Sequence, residues 1–244
     1  MKGIILAGGT GSRLDPLTRV TNKHLLPVYD RPMIQFSVEL LALAGIDRIL
    51  VVTGGKDADR FAPVLGDGAA YGVCLDYARQ DRASGIADAL GLARIFAGDD
   101  DVCLLLGDNI FERSIRRSAD RFRAQGGGAR VLLTEVDRPE SYGIATLSGD
   151  SVVRIDEKPR SPATRYAVTG CYFYDRNVFD IVDQLSPSAR GEYEITDVNN
   201  AYVARGSLRF DLVDGYWVDC GESFDAYLRA QNLVATRGAN RSAA

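Results

Sequence analysis

A single histidine, His24, serves the whole chain of 244 residues. That nearly excludes a serine–histidine–aspartate triad and leaves a packed or surface imidazole as its reading. Cysteine is scarce as well: Cys74, Cys103, Cys171 and Cys220 are scattered, with no C-x-x-C pair. The first three sit in or beside apolar strand candidates, as reduced core thiols do. There is no basic tract, and the net charge is -4, so the electrostatic footprint of a nucleic-acid partner is missing. No apolar run approaches the roughly 20 residues of a membrane span. Met1-Lys2 leads straight into a strand candidate, so no signal peptide is expected and the expected location is cytoplasmic. What remains is ordinary for a globular domain: 46% hydrophobic and 25% charged residues, enough for one large α/β core.

The informative segment is the first thirty residues. Gly3 to Ala7 is a short apolar run that reads as a buried strand. Gly8, Gly9 and Gly11 follow at once, leaving a loop whose backbone N–H groups can close on phosphate oxygens. Arg13 and Lys23 then add the positive charge that a triphosphate needs. Two familiar phosphate loops fail on spacing. A G-x-G-x-x-G fingerprint running from Gly9 through Gly11 meets Leu14 at its last position, and the second strand candidate ends in Thr53-Gly54-Gly55 without a carboxylate. A P-loop requires Lys-Ser or Lys-Thr after its final glycine, and Gly11 is followed by Ser12-Arg13.

Along the chain, strand and helix candidates alternate. A helix from Pro32 to Ala44 closes at Gly45, a strand covers Ile49 to Thr53, and a helix covers Asp57 to Leu65. A strand over Val73 to Ala78 precedes a helix from Ser84, its N-cap, to Phe96. Val102 to Leu106 is a continuous apolar strand, Ser114 to Gln125 a helix, and Ala129 to Val136 a strand. The second half is richer in strands: Ile144 to Leu147, Val152 to Glu157, Ala167 to Tyr174, Leu208 to Val213 and Tyr216 to Val218. Helices are expected at Asn177 to Leu185, Ile195 to Ala204 and Ser223 to Thr236. The pattern predicts an α/β fold: one three-layer domain over 1–236 with a mixed, mostly parallel, Rossmann-like central sheet. Two halves, about 1–110 and about 111–236, are expected, with ligand at the carboxyl ends of the parallel strands. Residues 237–244 are expected to fray.

Several ordered blocks carry a resemblance. Leu6-Ala-Gly-Gly-Thr-Gly-Ser-Arg13-Leu14, Lys23-His-Leu-Leu-Pro-Val28 and Leu106-Gly-Asp108-Asn109 come first. Arg138-Pro-Glu-Ser-Tyr142-Gly143, Glu157-Lys158-Pro159, Tyr166 to Tyr174 and Arg190-Gly-Glu-Tyr-Glu-Ile-Thr-Asp197 follow. Together they resemble the sugar-phosphate nucleotidyltransferases over nearly the whole chain, which implies nucleotide in the half of about 1–110 and sugar in that of about 111–236. The resemblance implies transfer of a nucleotidyl group from dTTP to glucose 1-phosphate, giving dTDP-glucose and pyrophosphate. The sugar phosphate is already an anion, so catalysis is alignment and charge neutralisation, with no covalent nucleophile required.

Residue roles follow from the same resemblance. On residue type alone, Arg13 and Lys23 are ordinary surface cations; their motif positions imply contacts to the β- and γ-phosphates and to the α- and sugar phosphates. Leu6, Ala7, Gly8, Gly9 and Gly11 form the cradle, and Gln80 and Gly85 read a pyrimidine edge shared by thymine and uracil. Asp108, at a buried strand end, and Asp219, in Trp217-Val-Asp219, would otherwise be a turn-capping and a loop aspartate. The match makes both ligands of Mg²⁺, which favours such oxygen-rich shells. Asn109, Tyr142, Gly143, Glu157 and Val168 face the sugar, while Lys158 and Arg190 hold its phosphate.

The chain also departs from the pattern. Cys220 and Glu222 replace threonines flanking the Gly221 position, Asp88 stands where a polar amide is usual, and a C-terminal helical extension with subunit contacts and a second nucleotide site is expected to be missing. The implied partners are dTTP or UTP and a hexose 1-phosphate, with a homo-oligomer left open and no nucleic acid or membrane. Two alternatives stay open: a uridylyl- or cytidylyltransferase for another hexose 1-phosphate, and a non-catalytic sugar-nucleotide-binding protein. The latter is expected to lose some of Arg13, Lys23, Asp108, Lys158 and Asp219, and all are present.

Overall fold

The computed structural model describes every residue except Thr10, Ala83, Ala243 and Ala244, and only the backbone of Lys56. The chain opens with β1 (Lys2–Ala7), a short ribbon of β2 (Pro27–Val28) and β3 (Arg31–Pro32), and α1 (Met33–Leu43). β4 (Arg48–Gly54), α2 (Phe61–Leu65) and β5 (Cys74–Gln80) follow. Next come α3 (Ile86–Gly91), α4 (Arg94–Ala97), β6 (Val102–Leu106) and β7 (Asn109–Phe111). α5 (Arg116–Gln125) leads into β8 (Ala129–Glu135), β9 (Gly143–Ser148), β10 (Ser151–Glu157) and β11 (Tyr166–Tyr174). The last elements are α6 (Val178–Val182), α7 (Ile195–Ala204), β12 (Leu208–Leu212), β13 (Trp217–Asp219) and α8 (Phe224–Arg237).

The α/β class and the mixed, mostly parallel sheet agree with the sequence pattern. The chain divides into two compact units, the first made of Met1–Ala83, Leu105–Arg117 and Asp214–Ala244 and the second of Ser84–Leu104 and Ser118–Val213. In the first unit β1 pairs β4 and β4 pairs β5, both parallel, with Ala7 opposite Thr53 and Gly54 opposite Gln80. Ile4, Ile5 and Ala7 are fully buried, the pattern of a parallel strand covered on both faces. The two isoleucines each stabilise the fold by about 1.5–3 kcal/mol on burial, which fixes the strand whose end carries the glycine loop. β13 runs antiparallel to β7, Asp219 opposite Asn109.

A core of Leu14, Met33, Phe36, Ile110, Val218, Cys220, Tyr227 and Val234 backs that ribbon. Strand alternation sends Val218 and Cys220 into this core and Asp219 to the other face. α8 starts at Ser223, whose Oγ accepts from the Ala226 N–H at 3.1 Å, a cap of the ordinary kind.

The second unit is more antiparallel: β9 pairs β10 and β11, β8 pairs β11, and only β8–β12 is parallel. α7 lies against β10, where Asn200 bonds both the N–H and C=O of Ile155.

Several expectations need correction. The helix expected from Ser84 starts at Ile86 with Gly85 as its cap residue, because the Ser84 carbonyl accepts from Tyr193 N–H at 2.8 Å instead. That helix is also broken after Gly91 and resumes at Arg94. Cys74, expected in the core, is exposed at the start of β5, whereas Cys103, Cys171 and Cys220 are buried. β7 is a strand that the sequence pattern did not reveal. Past α8, where fraying is expected from 237, Asn240 and Arg241 N–H groups donate to the Phe111 and Glu112 carbonyls at 2.9 and 2.8 Å. Ala243 and Ala244 lie outside the described residues.

Candidate active site

The first unit holds Leu6, Ala7, Gly8, Gly9, Gly11, Arg13, Lys23, Gln80, Asp108, Asn109 and Asp219. β1 delivers Leu6 and Ala7 to the loop, and their carbonyls accept from Gly107 N–H at 2.9 Å and from the Asn22 amide at 3.4 Å. A side chain at Gly11 would lie 2.8 Å from Thr18 Cγ2 and 3.3 Å from Lys23 Cβ, and its φ is +63°. Both features require glycine there. Gln80, 8% exposed, has its Oε1 3.2 Å from the point a Gly8 Cβ would occupy.

Lys23 Nζ stands 2.5 Å from Asp108 Oδ2, with both side chains largely buried. Asp108 Oδ1 accepts from the Asn109 amide at 2.9 Å, and Asn109 Oδ1 accepts from the Trp217 indole N–H at 2.7 Å. The indole can only donate, so it fixes which way the Asn109 amide points. Asp219 Oδ1 accepts from Gly221 N–H at 2.8 Å. A Cβ on Gly221 would fall 2.6 Å from Asp108 Oδ2, 2.8 Å from Lys23 Nζ and 3.4 Å from Asp219 Oδ1. The missing side chain is therefore the space in which two carboxylates and an ammonium converge.

Charge in this space is unbalanced. Burial raises the Asp108 carboxyl, but the Lys23 charge and hydrogen bonds from Lys23 and Asn109 overcome it and hold Asp108 well below the usual carboxylate range. Burial and then the Asp108 charge push Asp219 up to about 7. Burial lowers Lys23, while Asp108 and Asp219 outweigh it and raise the ammonium. One lysine does not neutralise two buried carboxylates, and the Arg13 charge acts on them more weakly than Lys23 does. Two hard oxygen donors short of positive charge fit a divalent cation such as Mg²⁺, with phosphate oxygens and water completing its shell. Among the described residues no cluster of three or more potential ligands occurs.

His24 resolves to a packed residue, 2% exposed, with Nδ1 2.7 Å from Asn22 Oδ1. Burial and then Lys23 lower it to about 3, so it is neutral and supports the loop. Asn22 and Gly221 are the parts of this centre that sequence reasoning did not single out.

The second unit holds Gly85, Tyr142, Gly143, Glu157, Lys158, Val168 and Arg190. Gly85 has φ +111°, and a Cβ there would lie 2.5 Å from the Tyr193 carbonyl oxygen. Lys158 N–H donates to the Tyr142 carbonyl at 3.0 Å, and Lys158 itself has φ +45°. Lys158 Nζ is 3.8 Å from Glu157 Oε1. Glu157 Oε2 accepts from Thr196 at 2.6 Å, and a Gly143 Cβ would lie 3.4 Å from that oxygen. Arg190 donates to Glu157 at 3.3 Å and to Glu194 at 2.8 Å. Val168 is buried beside a β11 bulge, where the register against β8 shifts before Tyr172. Thr196, Ser188 and Glu194 were not anticipated, although Glu194 lies four residues from Arg190 within a quoted block.

A glycine cradle at the carboxyl end of parallel strands, backed by buried charges of both signs, defines an α/β protein that handles polyphosphate. The family model described as nucleotidyl transferase matches residues 2–237, and the chain belongs to that family. It is 46% identical to a glucose-1-phosphate thymidylyltransferase of Neisseria meningitidis over 240 residues, 97% of this chain and 83% of that one. A Mycolicibacterium smegmatis protein of the same name is 45% identical over the same shares. A solved Bacillus anthracis structure described by that name, in complex with a sucrose, superposes with a TM-score of 0.93 at 48% identity, covering 97% of this chain and 96% of the other. A UDP-glucose pyrophosphorylase shares the fold at a TM-score of 0.84 and 23% identity. Among the described residues, no helix is long and apolar enough to cross a membrane.

Proposed function

We propose that the protein transfers a thymidylyl group from dTTP to glucose 1-phosphate, releasing pyrophosphate. The coarser statement follows from family membership: a nucleoside triphosphate and a sugar phosphate are the substrates. The observation that carries the chemistry is the convergence of Asp108, Asp219 and Lys23 on the space at Gly221. A sugar-phosphate oxygen attacks the α-phosphorus, a new P–O bond forms, and the bond to the β-phosphate bridging oxygen breaks. The electron pair leaves with pyrophosphate.

Lys23 and Arg13 offset the negative charge of the triphosphate, and the loop glycines let backbone N–H groups approach it. Asp108 and Asp219 are the residues that would hold Mg²⁺, which supplies further neutralisation of phosphate charge when bound. In the second unit, Arg190 and Lys158 hold the sugar phosphate, and Glu157, kept in place by Thr196, accepts from sugar hydroxyls. Gln80 and Gly85 read the pyrimidine.

Pyrophosphate release with Mg²⁺ and glucose 1-phosphate, run separately with dTTP, UTP, CTP, ATP and GTP, tests this reading. Turnover with dTTP well above the others is expected. Equal rates with UTP replace it with a relaxed pyrimidine enzyme. No release with any triphosphate and any hexose 1-phosphate overturns it.

A further inference from the structure

We propose that Glu194 is the positioning residue that fixes the sugar-phosphate arginine, Arg190, with one edge held and the other presented. This rests on the reading of Arg190 given above. The Glu194 carboxylate takes one side of the guanidinium: Oε1 accepts from Nε at 3.1 Å and from one terminal nitrogen at 2.9 Å, and Oε2 accepts from that same nitrogen at 2.8 Å. The other terminal nitrogen, NH1, donates no hydrogen bond among the described residues, and the side chain remains 41% exposed. A guanidinium has two forked edges that suit an oxyanion. Glu194 occupies the edge that includes Nε, which leaves the NH1 side for an incoming phosphate.

Glu194 has no competing task. It is the residue before α7, where a side chain ordinarily caps the helix, yet it makes no capping hydrogen bond. Its carboxylate instead turns back to Arg190 and accepts from Ser188 Oγ at 2.7 Å. Ser188 Oγ in turn accepts from the Arg190 N–H at 3.2 Å, which closes the loop on itself. Only 9% of Glu194 is exposed, and Arg190 and Ser188 outweigh burial to keep its carboxyl below the usual range.

Two other acids stand nearby and show what the anchor prevents. Glu157 and Glu192 lie 3.3 and 3.5 Å from the same Arg190 nitrogen. Both are more exposed than Glu194, whose side chain is 11% accessible against 27% and 46%. That nitrogen already donates to Glu157; without the Glu194 fork the long arginine side chain is free to turn NH1 toward these carboxylates as well, and the edge left for substrate is lost.

The test is an initial-rate comparison of Glu194→Gln, Arg190→Ala and the double variant, with dTTP and glucose 1-phosphate varied in turn. Glu194→Gln is expected to raise the KM for glucose 1-phosphate about tenfold, the scale of one mispositioned charge-assisted contact. The KM for dTTP should stay within about twofold. In the Arg190→Ala background the same change should have no further effect, as coupled residues behave in such cycles. An unchanged sugar-phosphate KM in Glu194→Gln, or an equal effect with and without Arg190, overturns the proposal. If Arg190→Ala itself leaves that KM unchanged, the assignment of Arg190 fails and the proposal falls with it. Should Glu194→Gln not fold, Ser188→Ala carries the test: a selective rise of about threefold supports the anchor, and no rise overturns it.

Discussion

Asp108 and Asp219 approach one another across the space where a Gly221 side chain would be, and Lys23 places its ammonium in the same space. The triple explains why the centre takes glycine at 221 and a cation at 23, and two carboxylates against one ammonium fit the Mg²⁺ proposed above.

Lys23→Met keeps the stem of the side chain and removes its charge. Two buried carboxylates then face each other unneutralised, and the triphosphate loses a partner. Pyrophosphate release should fall about 100- to 1000-fold in kcat/KM, the scale seen when a preorganised charge is removed from a transition state. A loss below tenfold would remove Lys23 from the chemistry.

Gly221→Ala inserts a methyl group 2.6 Å from Asp108 Oδ2 and 2.8 Å from Lys23 Nζ. The backbone needs no left-handed conformation there, so the melting temperature should change by only a few degrees. The Mg²⁺ concentration for half-maximal binding, followed by calorimetry, should rise about tenfold. Unaltered metal binding would place the ion elsewhere.

Neutral, buried His24 makes stability depend on pH in a known direction. Its pKa is lowered to about 3, first by burial and then by Lys23, while in the unfolded chain it is near 6.5. Between those values the unfolded state binds the extra proton, so its contribution is complete above pH 6.5 and fades as pH falls towards 3. A destabilisation of several kcal/mol is expected over that window, visible as a falling chemical-denaturation midpoint. His24→Gln should flatten this slope; an unchanged slope would assign it to the carboxylates.

Gly85→Ala should be costly. The residue sits at φ +111°, and the new Cβ would meet the Tyr193 carbonyl oxygen at 2.5 Å. Strain and displacement together should destabilise the fold by about 2–4 kcal/mol. Tyr193 belongs to the loop that carries Arg190 and Glu194, so the KM for glucose 1-phosphate should rise along with that for dTTP. A variant altered in dTTP alone would show that the two segments act independently.

Local patterns made part of this legible. β1 and its glycine loop could be read because an apolar run gives way abruptly to residues without side chains. β6 was equally clear, since Val102 to Leu106 is unbroken by polar residues. β7 was hidden because three residues are too few to show a period. The Ser84 cap failed because a tertiary partner, Tyr193, claimed the Ser84 carbonyl. Lys23, Asp108 and Asp219 were identified through motif blocks, but their convergence at Gly221 depends on β7–β13 pairing, which composition and spacing do not encode. Glu194 left a faint trace in its i, i+4 spacing from Arg190. Asn22 left none, as its task is set by the Ala7 carbonyl and the His24 ring.

The first unit is assembled from three separate stretches of chain, the last beginning at Asp214. During synthesis, residues carrying the phosphate loop leave the ribosome first, and Asp108 follows midway. Asp219 arrives only after the whole of the intervening Ser118–Val213 stretch has been made. Until then β7 has no β13 to pair with, and the acidic pair cannot exist. A nascent chain therefore passes most of its elongation with Lys23 and Asp108 made but the centre incomplete, and no N-terminal fragment ending before residue 219 can complete it.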